Sequence, residues 1–243
     1  MHQNHIHSGT QTGPETRGAT LHKASQYDFH TRLMGLGANQ ANSRMIAQMA
    51  NIKPGDKVLD VGCGDGALLE HLKAKNVDGR GIEISQANVN ACVARGLAVV
   101  QGDADTDLVD YPAQVFDAVI LSQTIQATEK PRVVMEHLLR IGRRVAISLP
   151  NFGYWKVRLS LLAGGRMPRT RALDYSWWAT PNIHLCTLAD FVDLARECSA
   201  TIVEAHALNN NGTTSTMNPR SLTHSYMGPN LTAQGGVFLL KKV

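Results

Sequence analysis

Residues 58–69, VLDVGCGDGALL, decide the fold: a buried-strand pattern runs into three glycines and leaves as a helix-forming stretch. Such a strand–turn–helix junction exposes backbone N–H groups at a helix N-terminus, where an anionic part of a ligand can be held. Gly62, Gly64 and Gly66 alternate as GxGxG, whereas the dinucleotide fingerprint is GxGxxG. The spacing favours S-adenosyl-L-methionine or its product S-adenosyl-L-homocysteine over NAD.

Outward from this turn, short β-rich runs alternate with helix-period stretches, the pattern of a parallel sheet with crossover helices. A helix over 66–75 is followed by a strand at 80–84, a helix over 88–94, strands at 97–101 and 116–121, a helix over 133–140 and a strand at 145–149. A helix at 188–197 and strands at 200–207 and 237–241 complete the series, and a helix over 43–50 precedes it. The expected fold class is α/β, a Rossmann-like class I methyltransferase fold. Its sheet is read as seven-stranded and mostly parallel, with a C-terminal antiparallel hairpin and helices on both faces.

In doubly wound sheets, ligands bind outside the carboxyl ends of the central strands. Three consecutive strand ends here carry suitable groups. Glu83 follows Gly62 by 21 residues, at the place where a carboxylate accepts the hydroxyls of a cofactor ribose. Asp103 ends the third strand, beside the position of an adenine amino group, with Ile84 and Ala104 flanking the ring. The candidate cofactor-binding set is Asp60, Gly62, Cys63, Gly64, Asp65, Gly66, Glu83, Ile84, Asp103, Ala104 and Ser122. Cys63 is read as a small packing residue of the glycine loop, because no histidine stands near it in sequence to act as a base. Ser122-Gln123 ends the fourth strand without an NPPY-like tetrad or a Pro-Cys nucleophile, so those nucleic-acid-methylating families are not matched.

The chain of 243 residues, 43% hydrophobic, is long enough for one substantial core. Residues 1–40 read as a disordered, polar, His-rich tail and 41–243 as a single domain. The latter includes an aromatic and basic connector at 150–187 and a flexible loop at 209–236, rich in Asn, Thr, Ser and Gly. The tail has no apolar core of a secretory signal, and its histidine spacing fits no metal site. No apolar run approaches the roughly 20 residues of a membrane helix. Four cysteines, at 63, 92, 186 and 198, form no CxxC pair, which fits a cytoplasmic compartment. The net charge of +4 is mild, with Lys156, Arg158, Arg166, Arg169 and Arg171 concentrated in the connector. Aromatic and basic residues interleave there, but with so small an overall charge and no recognised motif, nucleic acid is not expected as a partner.

Several stretches are more particular than the cofactor motifs: GIEIS (81–85), ACVARG (91–96), VVQGDAD (99–105), VILSQTIQAT (119–128), PNFGYWKVRLSLLAGGRMP (150–168) and TPNIHLCT (180–187). Together with VLDVGCGDGALL they resemble the MetW family of methionine-biosynthesis proteins, with a fainter echo in GPNLTAQGGVFLLKK (228–242). Ser85 stands where the family tends to have an acid, Asp174 where it tends to have Pro, and Trp178 where it tends to have Tyr. The resemblance implies cofactor-type binding and association with homoserine O-acyltransferase, MetX.

Two functions stay open. One is an activator of that acyltransferase, with Trp155, Arg158, Tyr175, Trp177 and Trp178 as its partner-binding surface, since Trp, Tyr and Arg dominate binding hot spots. The other is a working methyltransferase on an unknown small acceptor. An activated sulfonium needs little acid–base machinery, so the lack of an obvious catalytic residue does not exclude activity. His184 is the candidate base there, against a plainer reading as a loop anchor. The aromatic connector likewise has a plainer reading, as a lid over the cofactor crevice.

Overall fold

The computed structural model describes residues 45–170, 173, 175–209, 213–222 and 228–243. Strands β1 (Lys57–Val61), β2 (Asp78–Glu83), β3 (Ala98–Gln101), β4 (Ala118–Ser122) and β5 (Val145–Pro150) are joined by helices α1 (Ala67–Lys73), α2 (Gln86–Ala94) and α3 (Pro131–Ile141). Next come α4 (Trp155–Gly164), α5 (Leu188–Glu197), β6 (Ala200–Leu208), β7 (Thr214–Thr216), two short helices, α6 (Pro219–Leu222) and α7 (Pro229–Thr232), and β8 (Gly235–Lys242). The sheet order is β3-β2-β1-β4-β5-β8-β6-β7. Strands β1 to β5 are mutually parallel, and β8 runs antiparallel to both β5 and β6.

Side-chain alternation along the central strands divides the interior into two layers. Leu59, Val61, Val119, Leu121, Val145 and Ile147 lie on one face with α3 and α5; Val58, Ala118, Ile120 and Ala146 lie on the other with α1, α2 and residues 46–50. A period of two puts successive residues on opposite faces, so a strand apolar at every position must be covered on both sides. Helix α3 supplies Val134, Met135, Leu138, Leu139 and Ile141 to its layer, each fully or almost fully buried. Each such side chain contributes about 1.5–3 kcal/mol relative to remaining exposed. Helix α5 begins with a reciprocal capping box: Thr187 Oγ1 accepts from Asp190 N–H at 3.2 Å, and Asp190 Oδ2 accepts from Thr187 N–H at 2.8 Å.

Two features depart from the sequence expectation. The sheet has eight strands, because β7 pairs antiparallel with the end of β6 from Leu208↔Thr214 to His206↔Thr216. Among its described residues, the segment 209–236 includes β7, α6, α7 and the start of β8, with Met217 buried against the core. Its polar composition concealed a strand of three exposed residues. The connector in turn contains a helix, α4, of which only Val157 is buried. The tail and the residues up to 44, with 171, 172, 174, 210–212 and 223–227 of the connector and the later loop, lie outside the described residues. Among the described residues no helix is long and apolar enough to cross a membrane.

Candidate functional site: a crevice at three strand ends

The turn after β1 is shaped by its glycines. Gly66, the N-cap of α1, has φ +77°, and a Cβ there would stand 2.7 Å from Leu97 Cδ1 and 2.8 Å from Cys92 Sγ. Gly64, at φ +54°, is the opposite case: its Cβ would meet nothing within 4 Å. One glycine lets the start of α1 pack against α2 and the turn before β3, and the other leaves open space beside the turn. Arg95 braces the turn from α2, donating to the Asp65 carbonyl and pairing with Glu70 at 2.8 Å.

Glu83, 7% exposed at the end of β2, accepts from Gly64 N–H at 2.8 Å through Oε2 and from Ser85 N–H at 2.9 Å through Oε1. Both carboxylate oxygens are thus bonded to backbone N–H groups at the rim of the crevice. Ser85 is the N-cap of α2, accepting from Asn88 N–H at 3.4 Å, which gives a local reason for a short hydroxyl side chain at that position.

Asp60 is buried at the end of β1, and burial, with the nearby Glu83 and Asp65 charges, pushes its pKa up to about 8. Desolvation, helped by the two neighbouring carboxylates, thus favours the protonated form of Asp60 near neutral pH. Cys63 is buried beneath the turn, where a Cβ on Gly81 would stand 2.7 Å from its Sγ; burial and the Asp60 charge raise its thiol pKa strongly. Burial thus favours the neutral thiol.

At β3, Asp103 Oδ1 accepts from Asp105 N–H at 2.9 Å, and Ala104 is packed partly against the main core. Ile84 remains exposed between β2 and α2. Ser122 Oγ lies 3.1 Å from Ser148 Oγ of β5, and Ser148 also accepts from Gln123 N–H at 3.1 Å. Glu83 is bonded to the glycine turn and its charge is felt by Asp60; Asp103 follows β3 and Ser122 ends β4, with β2 and β1 between them, and among the described residues no hydrogen bond joins the two.

The connector is anchored by a residue that sequence reasoning missed. Asn151, 1% exposed, donates through Nδ2 to the carbonyls of Asn230 at 2.9 Å and Ala233 at 2.8 Å, while its Oδ1 accepts from Gly153 N–H at 2.8 Å. Its position directly after the last parallel strand was the available signal. Beyond this anchor, Trp177 and Trp178 are 70% and 72% exposed and meet edge to face at 5.8 Å. Trp155 is exposed beneath the Lys156 ammonium, 5.5 Å from its ring centre. Arg158 and Tyr175 are half-buried, and Arg158 Nε donates to Gly153 O at 2.6 Å. Leu159, Leu161 and Leu162 of α4 add exposed apolar surface that the sequence did not announce. His184 N–H donates to Gln126 O at 3.0 Å, attaching the connector to the segment after β4.

The sheet order and the crevice define a protein of the Rossmann-like class I methyltransferase fold. Solved structures of similar architecture include the complex between the Haloferax volcanii Trm112 methyltransferase activator and the putative methyltransferase, with TM-score 0.64, 15% identity, and 91% and 96% of the two chains covered. Magnesium protoporphyrin IX methyltransferase from Synechocystis with bound SAH aligns with TM-score 0.58 and 16% identity over 92% and 97% of the chains. The model of the family "Methionine biosynthesis protein MetW" matches residues 40–240, and the chain belongs to that family. A bifunctional methionine biosynthesis protein MetXA/MetW from Rhodopirellula baltica is 35% identical over 163 residues, which are 63% of this chain and 26% of that protein. The chain thus spans about a quarter of that relative's length.

Proposed function

We propose that this protein binds S-adenosylmethionine or S-adenosylhomocysteine in the crevice and acts with homoserine O-acyltransferase, MetX, as its activator in methionine biosynthesis. The observation that carries the partner reading is the joining of MetXA and MetW in one relative's name and chain. Two units that share a chain sit at high effective concentration, and their separate homologues are natural partners.

The crevice fits the cofactor. Gly64 leaves open space where a ligand can approach, and Glu83 presents a carboxylate at the end of β2, hydrogen-bonded to that same turn, where ribose hydroxyls would lie. Asp60 sits in an acidic floor that a ligand carrying ammonium and sulfonium charges would relieve. Asp103, Ile84 and Ala104 would border the adenine, and Asp65, Cys63, Gly62 and Gly66 shape the turn. When bound, the cofactor supplies an activated methyl group.

The exposed Trp177–Trp178 pair, with Trp155 and the apolar face of α4, offers the aromatic and aliphatic anchors that carry interface energy. Arg158 and Tyr175 support this surface from within the connector. Methyl transfer to a small acceptor is the second reading, favoured by the close match to methyltransferase architecture.

The test is homoserine acylation by the candidate acyltransferase with and without this protein, in the presence of methyl-labelled S-adenosylmethionine. Stimulation lost in a Trp177→Ala, Trp178→Ala variant, with no labelled product, supports the activator. Label transfer without stimulation overturns it in favour of the enzyme.

A further inference from the structure

Beyond β4 the chain turns through a short 3-10 segment, Ile125–Ala127; a buried polar atom here, and another on the connector segment bonded to it, have no hydrogen-bond partner among the described residues. Gln126 is 3% exposed, and its Oε1 is unpaired. Its Nε2 donates to Gln123 O at 2.7 Å, so the amide plane, and with it the direction of Oε1, is fixed. His184 reaches the same segment from the connector. The N–H groups of Ile183 and His184 both donate to Gln126 O, at 2.9 and 3.0 Å, and His184 Nε2 is likewise buried and unpaired. A third unpaired atom, Asn230 Oδ1, belongs to the Asn151 anchor beside Gly153.

Burying a polar atom without a partner costs its full desolvation, so natural proteins keep such atoms where something else completes them. Here two occur on segments bonded to each other, at the carboxyl end of β4, which is the rim where ligands of this sheet type lie. We propose that Gln126 and His184 form a subsite for the hydroxyl group of a small polar ligand that lies beside the cofactor crevice.

The chemistry selects the hydroxyl. Gln126 Oε1 accepts only, so the ligand must donate to it. A neutral imidazole Nε2 donates in one tautomer and accepts in the other, and a hydroxyl satisfies either. An anion would meet the lone pairs of Oε1. An ammonium could donate to both atoms, but neither residue takes part in an ion pair among the described residues, so neither supplies the opposite charge that a buried cation needs. The subsite rests on the unpaired atoms alone, whereas the choice of probe rests on the acyltransferase reading, because the partner would acylate a hydroxylated amino acid.

The experiment is calorimetric titration of L-homoserine into the full chain, with and without S-adenosylhomocysteine, beside L-2-aminobutyrate, which lacks only the hydroxyl. Saturable binding of homoserine in the millimolar range or tighter, roughly tenfold tighter than 2-aminobutyrate, is expected for one lost hydrogen-bonding group. Gln126→Met and His184→Leu should each weaken it roughly tenfold, and His184→Gln should restore most of the loss by returning a polar atom near the Nε2 position. Should a variant fail to fold by circular dichroism, the His184 ring signals of the wild type in NMR decide: a shift with homoserine and none with 2-aminobutyrate supports the subsite. Equal affinity for the two amino acids, or binding of neither, overturns it. Homoserine binding without S-adenosylhomocysteine binding overturns the cofactor reading and leaves the subsite standing.

Discussion

Glu83 Oε2 accepts a hydrogen bond from the backbone N–H of Gly64 at 2.8 Å, so the end of β2 holds the turn that follows β1. The bond is charge-assisted and largely shielded from water, which makes it stronger than a surface contact. Glu83→Gln keeps the size but removes the charge. S-adenosylhomocysteine affinity by calorimetry should fall at least tenfold, and the thermal midpoint should drop by about 2–4 °C for each kcal/mol lost. Unchanged affinity would remove Glu83 from the cofactor site.

Asp60 gives the protein a specific pH dependence. Its folded-state pKa is raised from 3.8 to about 8 by burial and by the Glu83 and Asp65 charges. Between those values the folded form keeps the proton and the unfolded chain releases it, so the folded state binds more protons. Stability from this group is therefore present at the acid end of the window and declines as pH rises towards about 8. Urea unfolding of wild type and Asp60→Asn at the two ends should show this slope in the wild type and its loss in the variant. An identical slope in both would assign the effect elsewhere.

Gly66→Ala tests the packing of the turn. A left-handed φ of +77° and methyl contacts under 3 Å with Leu97 and Cys92 act together against the substitution. Strain and overpacking predict a loss of about 2–4 kcal/mol by chemical denaturation. A loss below about 0.5 kcal/mol, the range of neutral surface changes, would show that the turn adapts.

Leu162 is 87% exposed on α4, so it contributes little to the folded state and is free to contribute to an interface. Leu162→Glu should leave the thermal midpoint within error and weaken acyltransferase binding at least tenfold, read by calorimetry against the purified partner. Undiminished binding would place the interface away from α4.

All four cysteine thiols have raised pKa values, with desolvation as the first cause in each, and Cys186 reaches about 11. The thiolate is the reactive form, so alkylation by iodoacetamide near neutral pH should be slow for the folded chain and rapid in denaturant. Mass spectrometry counts the modified sites. Fast modification of Cys63 in the native protein would contradict its role as a packing residue.

The legible parts of the molecule were those where local chemistry and final structure agree. The short, nearly continuous apolar runs of β1, β4 and β5, the glycine turn and Glu83 all follow from patterns within a few residues. Helix α4 was hidden because Leu159, Leu161 and Leu162 stay exposed and Val157 alone is buried, so no inward-facing stripe marks it. Strand β7 was hidden because it is short and polar and is defined by its ladder to β6. The unpaired atoms of Gln126 and His184 depend on contacts across 58 residues, which no local pattern reports.

The placement of β8 between β5 and β6 sets an order of events during synthesis. The ribosome delivers β6 and β7 before the strand that will hold them, and until residues 235–242 emerge, the open side of β5 has no antiparallel neighbour. A nascent chain at that stage presents the unpaired edges of β5 and β6, the kind of surface that recruits other chains. The last of these strands to be translated is the one that closes the sheet, and a frameshift or stop codon just upstream of it would yield an aggregating product even though the cofactor crevice is already encoded.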